Sequence, residues 1–300
     1  MYENDNPIHQ LVHDYVDGAI DRRELFRRVV RHTGSAAAAT VALSGFSEAL
    51  AQSPGACPDG IRTSVDDPAI RVEDVSFPNS DGIAIYGHLA YPRNIEIAPA
   101  VIVVHENRGL VDHIKDVTRR VAKAGFVGLG VDLLSRQGGT HTIDPQQLNA
   151  AYNRTNQFER RIDLTAGLDF LKRLPYVEFD RIGMVGFCAG GANTWDFAVN
   201  MPELAAAVPF YGTPPSAEDL ERLRTPVLAI YAERDRNLTR LMLAAADNLV
   251  RLQKTFGLLV YEGVGHAFHS DVGNAYNPEA ACDAWAKTIG YFNKWLRRPR

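Results

Sequence analysis

Cysteine is scarce in this sequence: Cys57, Cys188 and Cys282 are the only three in 300 residues. That number is too small for a disulfide-dense scaffold, and the spacing does not suit a paired metal-thiolate site. At least one thiol is therefore unpaired within the chain. Long apolar runs are missing too. No stretch approaches the ~18 to 20 unbroken apolar residues that a spanning helix needs, so no membrane insertion is expected. Basic charge is not in excess, with 32 Lys and Arg against 36 Asp and Glu and a net charge of −4. A phosphate backbone calls for the opposite balance, so nucleic acid is not an expected partner. Internal repeats and low-complexity tracts are absent as well. What is present, 46% hydrophobic and 23% charged residues, suits one large folded core with an appendage.

The appendage is residues 1–51. Five arginines crowd Arg22 to Arg31, a mildly apolar stretch runs from Thr33 to Ala51, and Ala49-Leu50-Ala51 offers a small-residue cleavage cue before Gln52. Arg22-Arg23-Glu24-Leu25-Phe26 resembles a twin-arginine export signal with its apolar pair transposed. The competing reading is a helical arm packed on the body or on a partner subunit, with Ile8, Leu11, Val12, Tyr15 and Val16 at helical spacing. The first places the protein outside the cytoplasm and the second leaves it inside. Residues 52–68, rich in Pro, Gly, Ser and Asp, read as a linker.

From Ala69 to Arg300, strand-like and helix-like segments alternate, which predicts an α/β fold with a mainly parallel sheet flanked by helices. Ile70 to Phe77 and Ile83 to Tyr91 alternate around Asn79-Ser80-Asp81-Gly82 and predict an opening antiparallel hairpin. Short apolar runs at Ala100 to Val104, Phe126 to Val131, Ile182 to Val185, Ala205 to Phe210, Val227 to Tyr231 and Leu258 to Tyr261 predict buried parallel strands. Ile114 to Ala124, Gln146 to Leu174, Leu238 to Thr255 and Glu279 to Leu296 carry the helical period.

Gly186-Phe187-Cys188-Ala189-Gly190-Gly191 stands where a predicted strand ends and a helix begins. This is the layout of a nucleophile elbow with Cys in place of Ser: a strained turn presents the nucleophile, and small neighbours let strand and helix approach closely. A helix N-terminus there favours a thiolate. The alternative, for the segment alone, is a buried structural cysteine in a glycine-rich turn. The rest of the chain supplies a possible acid and base in the order such an elbow requires. Asp235 follows the strand ending at Tyr231, and His266 follows the one ending at Tyr261. Ligands bind outside the C-terminal ends of parallel strands, so all three residues are expected to converge there.

Several separated motifs make the likeness specific. Over about residues 70–297 the chain resembles the dienelactone hydrolase (carboxymethylenebutenolidase) family of α/β-hydrolases. His105-Glu106-Asn107-Arg108-Gly109-Leu110, Asp132-Leu133-Leu134-Ser135-Arg136 and Val208-Pro209-Phe210-Tyr211-Gly212 are similar to family segments. The resemblance implies a triad of Cys188, Asp235 and His266 and an oxyanion hole from the N–H groups of Ala189 and Asn107. It further implies that Glu106 contacts the resting thiol and that Arg136 binds a substrate carboxylate. Four residues after the histidine, Ser270 stands beside His269 where well-known members carry a second carboxylate-binding arginine.

The expected activity is hydrolysis of an ester or lactone, a small-molecule substrate, through an acyl-thiol intermediate, with no cofactor and no metal. His266 and His269, or His105 beside Glu106, offer too few committed ligands for zinc. A carboxylesterase or thioesterase of the same fold would keep every catalytic residue, and a non-catalytic carrier would need none of them together. A homo-oligomer is compatible with the sequence, and a disulfide between Cys57 and Cys282 is the one pairing left open.

Overall fold

The computed structural model describes Ile8, Leu11, Asp14, Ile20, residues 22–34 and residues 62–297. Most of the N-terminal 51 residues, on which the leader and arm readings rest, lie outside these. Within them Arg22–Thr33 forms helix α1, with Leu25 and Val29 on one buried face and Arg27 and Arg31 exposed. No helix among the described residues is long and apolar enough to cross a membrane.

Eight strands form one sheet: β1 (Ile70–Pro78), β2 (Ala84–Pro92), β3 (Ala98–Val104), β4 (Val127–Val131), β5 (Val177–Phe187), β6 (Ala206–Phe210), β7 (Val227–Ala232) and β8 (Phe256–Tyr261). Their spatial order is β1-β2-β4-β3-β5-β6-β7-β8. The β1–β2 and β2–β4 pairings are antiparallel and all the others parallel. The opening hairpin arises because the Asn79 side chain accepts from the N–H groups of Asp81 and Ile83 while Gly82 takes φ +78°, a conformation open to glycine. Strands β3 and β4 are buried throughout, which is why they read as unbroken apolar runs.

Helices cover both faces and split the core in two. Helices α2 (Asp112–Lys123) and α8 (Pro278–Leu296) enclose one layer with Val101, Val103 and Phe292. Helices α4 (Gln157–Lys172), α5 (Ala189–Asn200) and α7 (Arg236–Arg251) enclose the other with Ile102, Leu168 and Trp195.

The helix expected over Gln146 to Leu174 is in fact two, α3 (Leu148–Tyr152) and α4, broken at residues 153–156. Asn156 starts the second with a capping box: its side chain accepts from the Glu159 N–H, and the Glu159 carboxylate accepts from the Asn156 N–H. A short helix α6 (Ala217–Arg222), capped by Ser216, was not expected. The described end of the linker is docked on the body. Thr63 is buried and donates its N–H to Asp116 at 2.7 Å, and Arg62 binds Asp271.

Candidate active site

The loops after β3, β5, β6, β7 and β8 leave the sheet at one edge, because parallel strands end on the same side. They carry Glu106, Cys188, Tyr211, Asp235 and His266. Residues separated by up to 160 positions are thereby brought into one small volume.

Cys188 sits between the end of β5 and the start of α5 with φ 55° and ψ −114°, left-handed backbone that side chains rarely adopt. Its N–H donates to the Phe210 carbonyl at 3.1 Å, which pins the turn to β6. The close approach depends on glycine. A Cβ on Gly190 would lie 2.5 Å from the His105 carbonyl oxygen and closer still to that of Val104. Ala189 opens α5, where backbone N–H groups have no intrahelical acceptor.

His266 joins the other two members. Its Nδ1 lies 2.5 Å from Asp235 Oδ2. Asp235 occupies the N-cap position of α7 but makes no capping bond, so its carboxylate is left to the imidazole. Hydrogen bonding to Cys188 is the largest influence on His266; with the Asp235 bond it outweighs burial and pushes the imidazole up to about 9. The ring thus sits between a sulfur and a carboxylate, both of which favour its cation.

Tyr211 was missed from the sequence as anything but part of a strand motif. It follows β6 with φ 36°, is fully buried, and its ring centroid lies 4.8 Å from that of His266. Its hydroxyl finds no hydrogen-bond partner among the described residues. Burial, and then the nearby charges of Glu106 and Cys188, hold the phenol well above its ordinary range. A strained conformation at a buried aromatic was not legible from residue type.

Glu106 lies near both residues, but its Oε1 is buried without a hydrogen-bond partner among the described residues. The Cys188 thiol is hydrogen-bonded to His266. Burial pushes the Glu106 carboxyl up toward its neutral form against the charges of His113, His266 and Arg108. Asn107 sits in the same loop, its side-chain amide donating to Asn149 at 3.1 Å.

His105 is an internal strut rather than a ligand. Its Nε2 accepts from the Leu133 N–H at 2.9 Å, its Nδ1 bonds the Glu106 carbonyl, and burial keeps it neutral. His269 is fully buried, stacked 4.9 Å from Phe187 and held neutral by burial. Among the described residues no group of three or more His, Cys, Asp or Glu side chains is arranged to hold a metal ion.

Arg136, expected to bind a substrate carboxylate, is engaged by carboxylates of the chain itself. Its Nε donates to Asp163 Oδ2 at 2.9 Å and its Nη2 to Asp163 Oδ1 at 2.9 Å and Asp81 Oδ2 at 2.7 Å. Asn79 donates to the same Asp163 at 2.7 Å. The guanidinium clamps the β1–β2 turn to α4, and a fully buried carboxylate already holds the fork that a substrate would need. Cys188 is a free thiol, whereas Cys282 is disulfide-bonded; Cys57, the partner considered for it, lies outside the described residues.

An α/β-hydrolase sheet bearing a strained cysteine elbow, an acid and a histidine in that order defines the class. Residues 85–296 match the dienelactone hydrolase family. The chain belongs to that family and is a hydrolase of esters or lactones. It is 32% identical over 270 residues to a Methylorubrum extorquens protein named "Putative carboxymethylenebutenolidase", covering 86% of this chain and 91% of the relative. It is 31% identical over 228 residues to a Bradyrhizobium protein named "Probable 2-oxo-3-(5-oxofuran-2-ylidene)propanoate lactonase", covering 72% and 91%. A crystal structure from Klebsiella pneumoniae, described as a "Putative Dienelactone Hydrolase", superposes with a TM-score of 0.70 at 28% identity, covering 76% of this chain and all of that one.

Proposed function

We propose that the chain cleaves its ester or lactone through a covalent acyl-thiol on Cys188, with His266 as proton carrier and Asp235 as its orienting acid. The observation that carries this reading is the His266 imidazole placed between the Cys188 sulfur and the Asp235 carboxylate, both of which favour its cation. A thiolate is the nucleophilic form of cysteine, and an adjacent imidazolium stabilises it.

The sulfur attacks the carbonyl carbon, and the oxygen anion that develops is held by the Ala189 and Asn107 N–H groups. When the tetrahedral species collapses, the carbon–oxygen bond to the leaving group breaks and the alkoxide takes the His266 proton. A water then gives a proton to His266 while its oxygen attacks the thioester, and the thiolate leaves with its electron pair. The acid product departs, and His266 is again cationic. Asp235 fixes the tautomer throughout. Glu106 brings to the same site a buried carboxyl whose proton affinity is raised by desolvation, so a change in its surroundings on substrate binding can turn it into a local base.

Replacement of the nucleophile tests the mechanism. Cys188→Ala is expected to retain the folded circular-dichroism spectrum and to lose turnover of activated esters and lactones. Wild-type rates in Cys188→Ala would refute the acyl-thiol, and a folded wild type inert toward every ester and lactone would favour a carrier on this scaffold.

A further inference from the structure

The two edges of the sheet differ in chemistry. Among the described residues β1 ends the sheet on one side, and it carries Arg71, Glu73 and Asp74 exposed with Pro78 at its end, features that discourage further pairing. The other side ends on β8, Phe256-Gly257-Leu258-Leu259-Val260-Tyr261, which has neither a charge nor a proline. Such a segment is a template for another strand, and left open it invites uncontrolled association. Its side chains are half-buried and that of Val260 is exposed, whereas the neighbouring β7 is buried throughout. Leu241, Leu243 and Val250 are exposed on α7, which packs in the same core layer as Phe256 and Leu258.

Strands β7 and β8 are parallel, with the Val227 N–H donating to the Thr255 carbonyl at 3.2 Å and the Glu233 N–H to the Tyr261 carbonyl at 2.9 Å. In a parallel ladder alternate residues turn both backbone groups toward the same neighbour. Gly257, Leu259 and Tyr261 therefore face β7. The N–H and C=O groups of Phe256, Leu258 and Val260 point out of the sheet, where no strand meets them among the described residues. Charge is also unequal along β8. Arg251 and Lys254 precede it, the Lys254 ammonium being fixed by the Glu221 and Leu223 carbonyls at 2.7 and 3.0 Å, and the exposed Glu262 follows it.

We propose that the outer edge of β8 pairs antiparallel with β8 of a second copy of this chain, about a two-fold axis at Leu258, so that one sheet runs through a homodimer. The register follows from the outward groups. With Leu258 facing Leu258 of the second copy, Phe256 of each chain faces Val260 of the other, and every outward N–H and C=O finds a partner. A slip of one residue sets outward groups against inward ones, and a slip of two carries Phe256 or Val260 past the end of the facing strand. The direction follows from charge: antiparallel pairing brings Arg251 and Lys254 toward Glu262 of the other copy, whereas parallel pairing stacks like on like. The facing side chains, Leu on Leu and Phe on Val, are apolar pairs that stabilise a sheet. One strand is narrow for an interface that needs roughly 1,200 Å² or more, and the exposed leucines and valine of α7 supply apolar area in the adjoining layer. Two-fold pairing uses up the edge in both copies, so association stops at the dimer. The inference is independent of the reaction at Cys188.

Sedimentation velocity of the full chain at micromolar concentration should show a species of twice the chain mass. Leu258→Lys sets two ammonium groups against each other on the axis and Leu258→Asp two carboxylates, so each variant alone should sediment as a monomer. Mixed in equal amounts, the two should regain the dimer, because residue 258 of each chain then meets the opposite charge. Loss of folding gives no such recovery. A monomeric wild type would overturn the proposal, whatever covers the edge. A dimer that persists in both variants would place the interface elsewhere, and folded monomeric variants that fail to recombine would contradict the axis at Leu258. If circular dichroism shows that the Leu258 variants do not fold, Val260→Lys decides, since that side chain is exposed in the single chain and the pairing would bury its charge against Phe256 of the second copy. Loss of the dimer in Val260→Lys supports the edge pairing, and an unchanged dimer refutes it.

Discussion

His266 Nδ1 lies 2.5 Å from Asp235 Oδ2, and this contact fixes which nitrogen of the ring faces the thiol. With Nδ1–H committed to the carboxylate, Nε2 is left for Cys188 and for the proton traffic of hydrolysis.

Asp235→Asn should therefore act on both rate and pH. The amide cannot stabilise the cation, so the imidazole should titrate below the value of about 9 that it has in the intact site. A raised histidine is cationic below its folded pKa and loses the proton as pH rises through it. The protonated form that serves the leaving alkoxide should thus be lost near pH 9 in the wild type and at lower pH in the variant. The rate at neutral pH should drop by a factor on the order of ten thousand, as in other triads when the acid is replaced by its amide. Histidine NMR titration and the alkaline limb of kcat/KM check the two parts.

Arg136→Ala should destabilise the fold rather than select among substrates. Asp163 is fully buried, and removing the guanidinium leaves its charge without its main partner. Breaking such a pair costs about 3 to 5 kcal/mol. Urea unfolding should show that loss, while charged and neutral esters should be affected alike in the folded fraction. A selective rise in KM for carboxylate-bearing substrates would restore the recognition role expected from the sequence.

Gly190→Ala should be worse than a surface change of the same size. Its Cβ would meet the carbonyl oxygens of Val104 and His105, both backbone atoms of β3 and its loop. Overpacking of this kind typically costs about 1 to 3 kcal/mol. Because the displaced turn also carries Cys188, turnover should fall in the protein that still folds. A melting temperature equal to wild type would mean that the elbow has more room than its geometry indicates.

The sheet was legible in the sequence because buried parallel strands announce themselves as short apolar runs, and the hairpin because Asn79 to Gly82 has turn chemistry. The locations of Cys188, Asp235 and His266 were legible from strand ends, since parallel topology alone brings those ends together. The break between α3 and α4 was signalled by Asn156 and Glu159 but masked by helical spacing on either side. The pairing of Arg136 was not legible because its motif carries no trace of Asp163, 27 positions away, which only folding brings beneath it. The cluster of Arg62, His113, Arg120 and Asp271 was invisible for the same reason: its hydrogen bonds span up to 209 positions and follow no period.

The most direct measurement is the mass of the intact protein quenched seconds after mixing with an activated ester. The expected result is a gain equal to one acyl group, localised to the peptide carrying Cys188, decaying as product forms and absent from Cys188→Ala. Steady turnover with no acyl group on that peptide at any time, and no accumulation when the thioester-cleaving step is slowed in Asp235→Asn, would contradict the acyl-thiol mechanism.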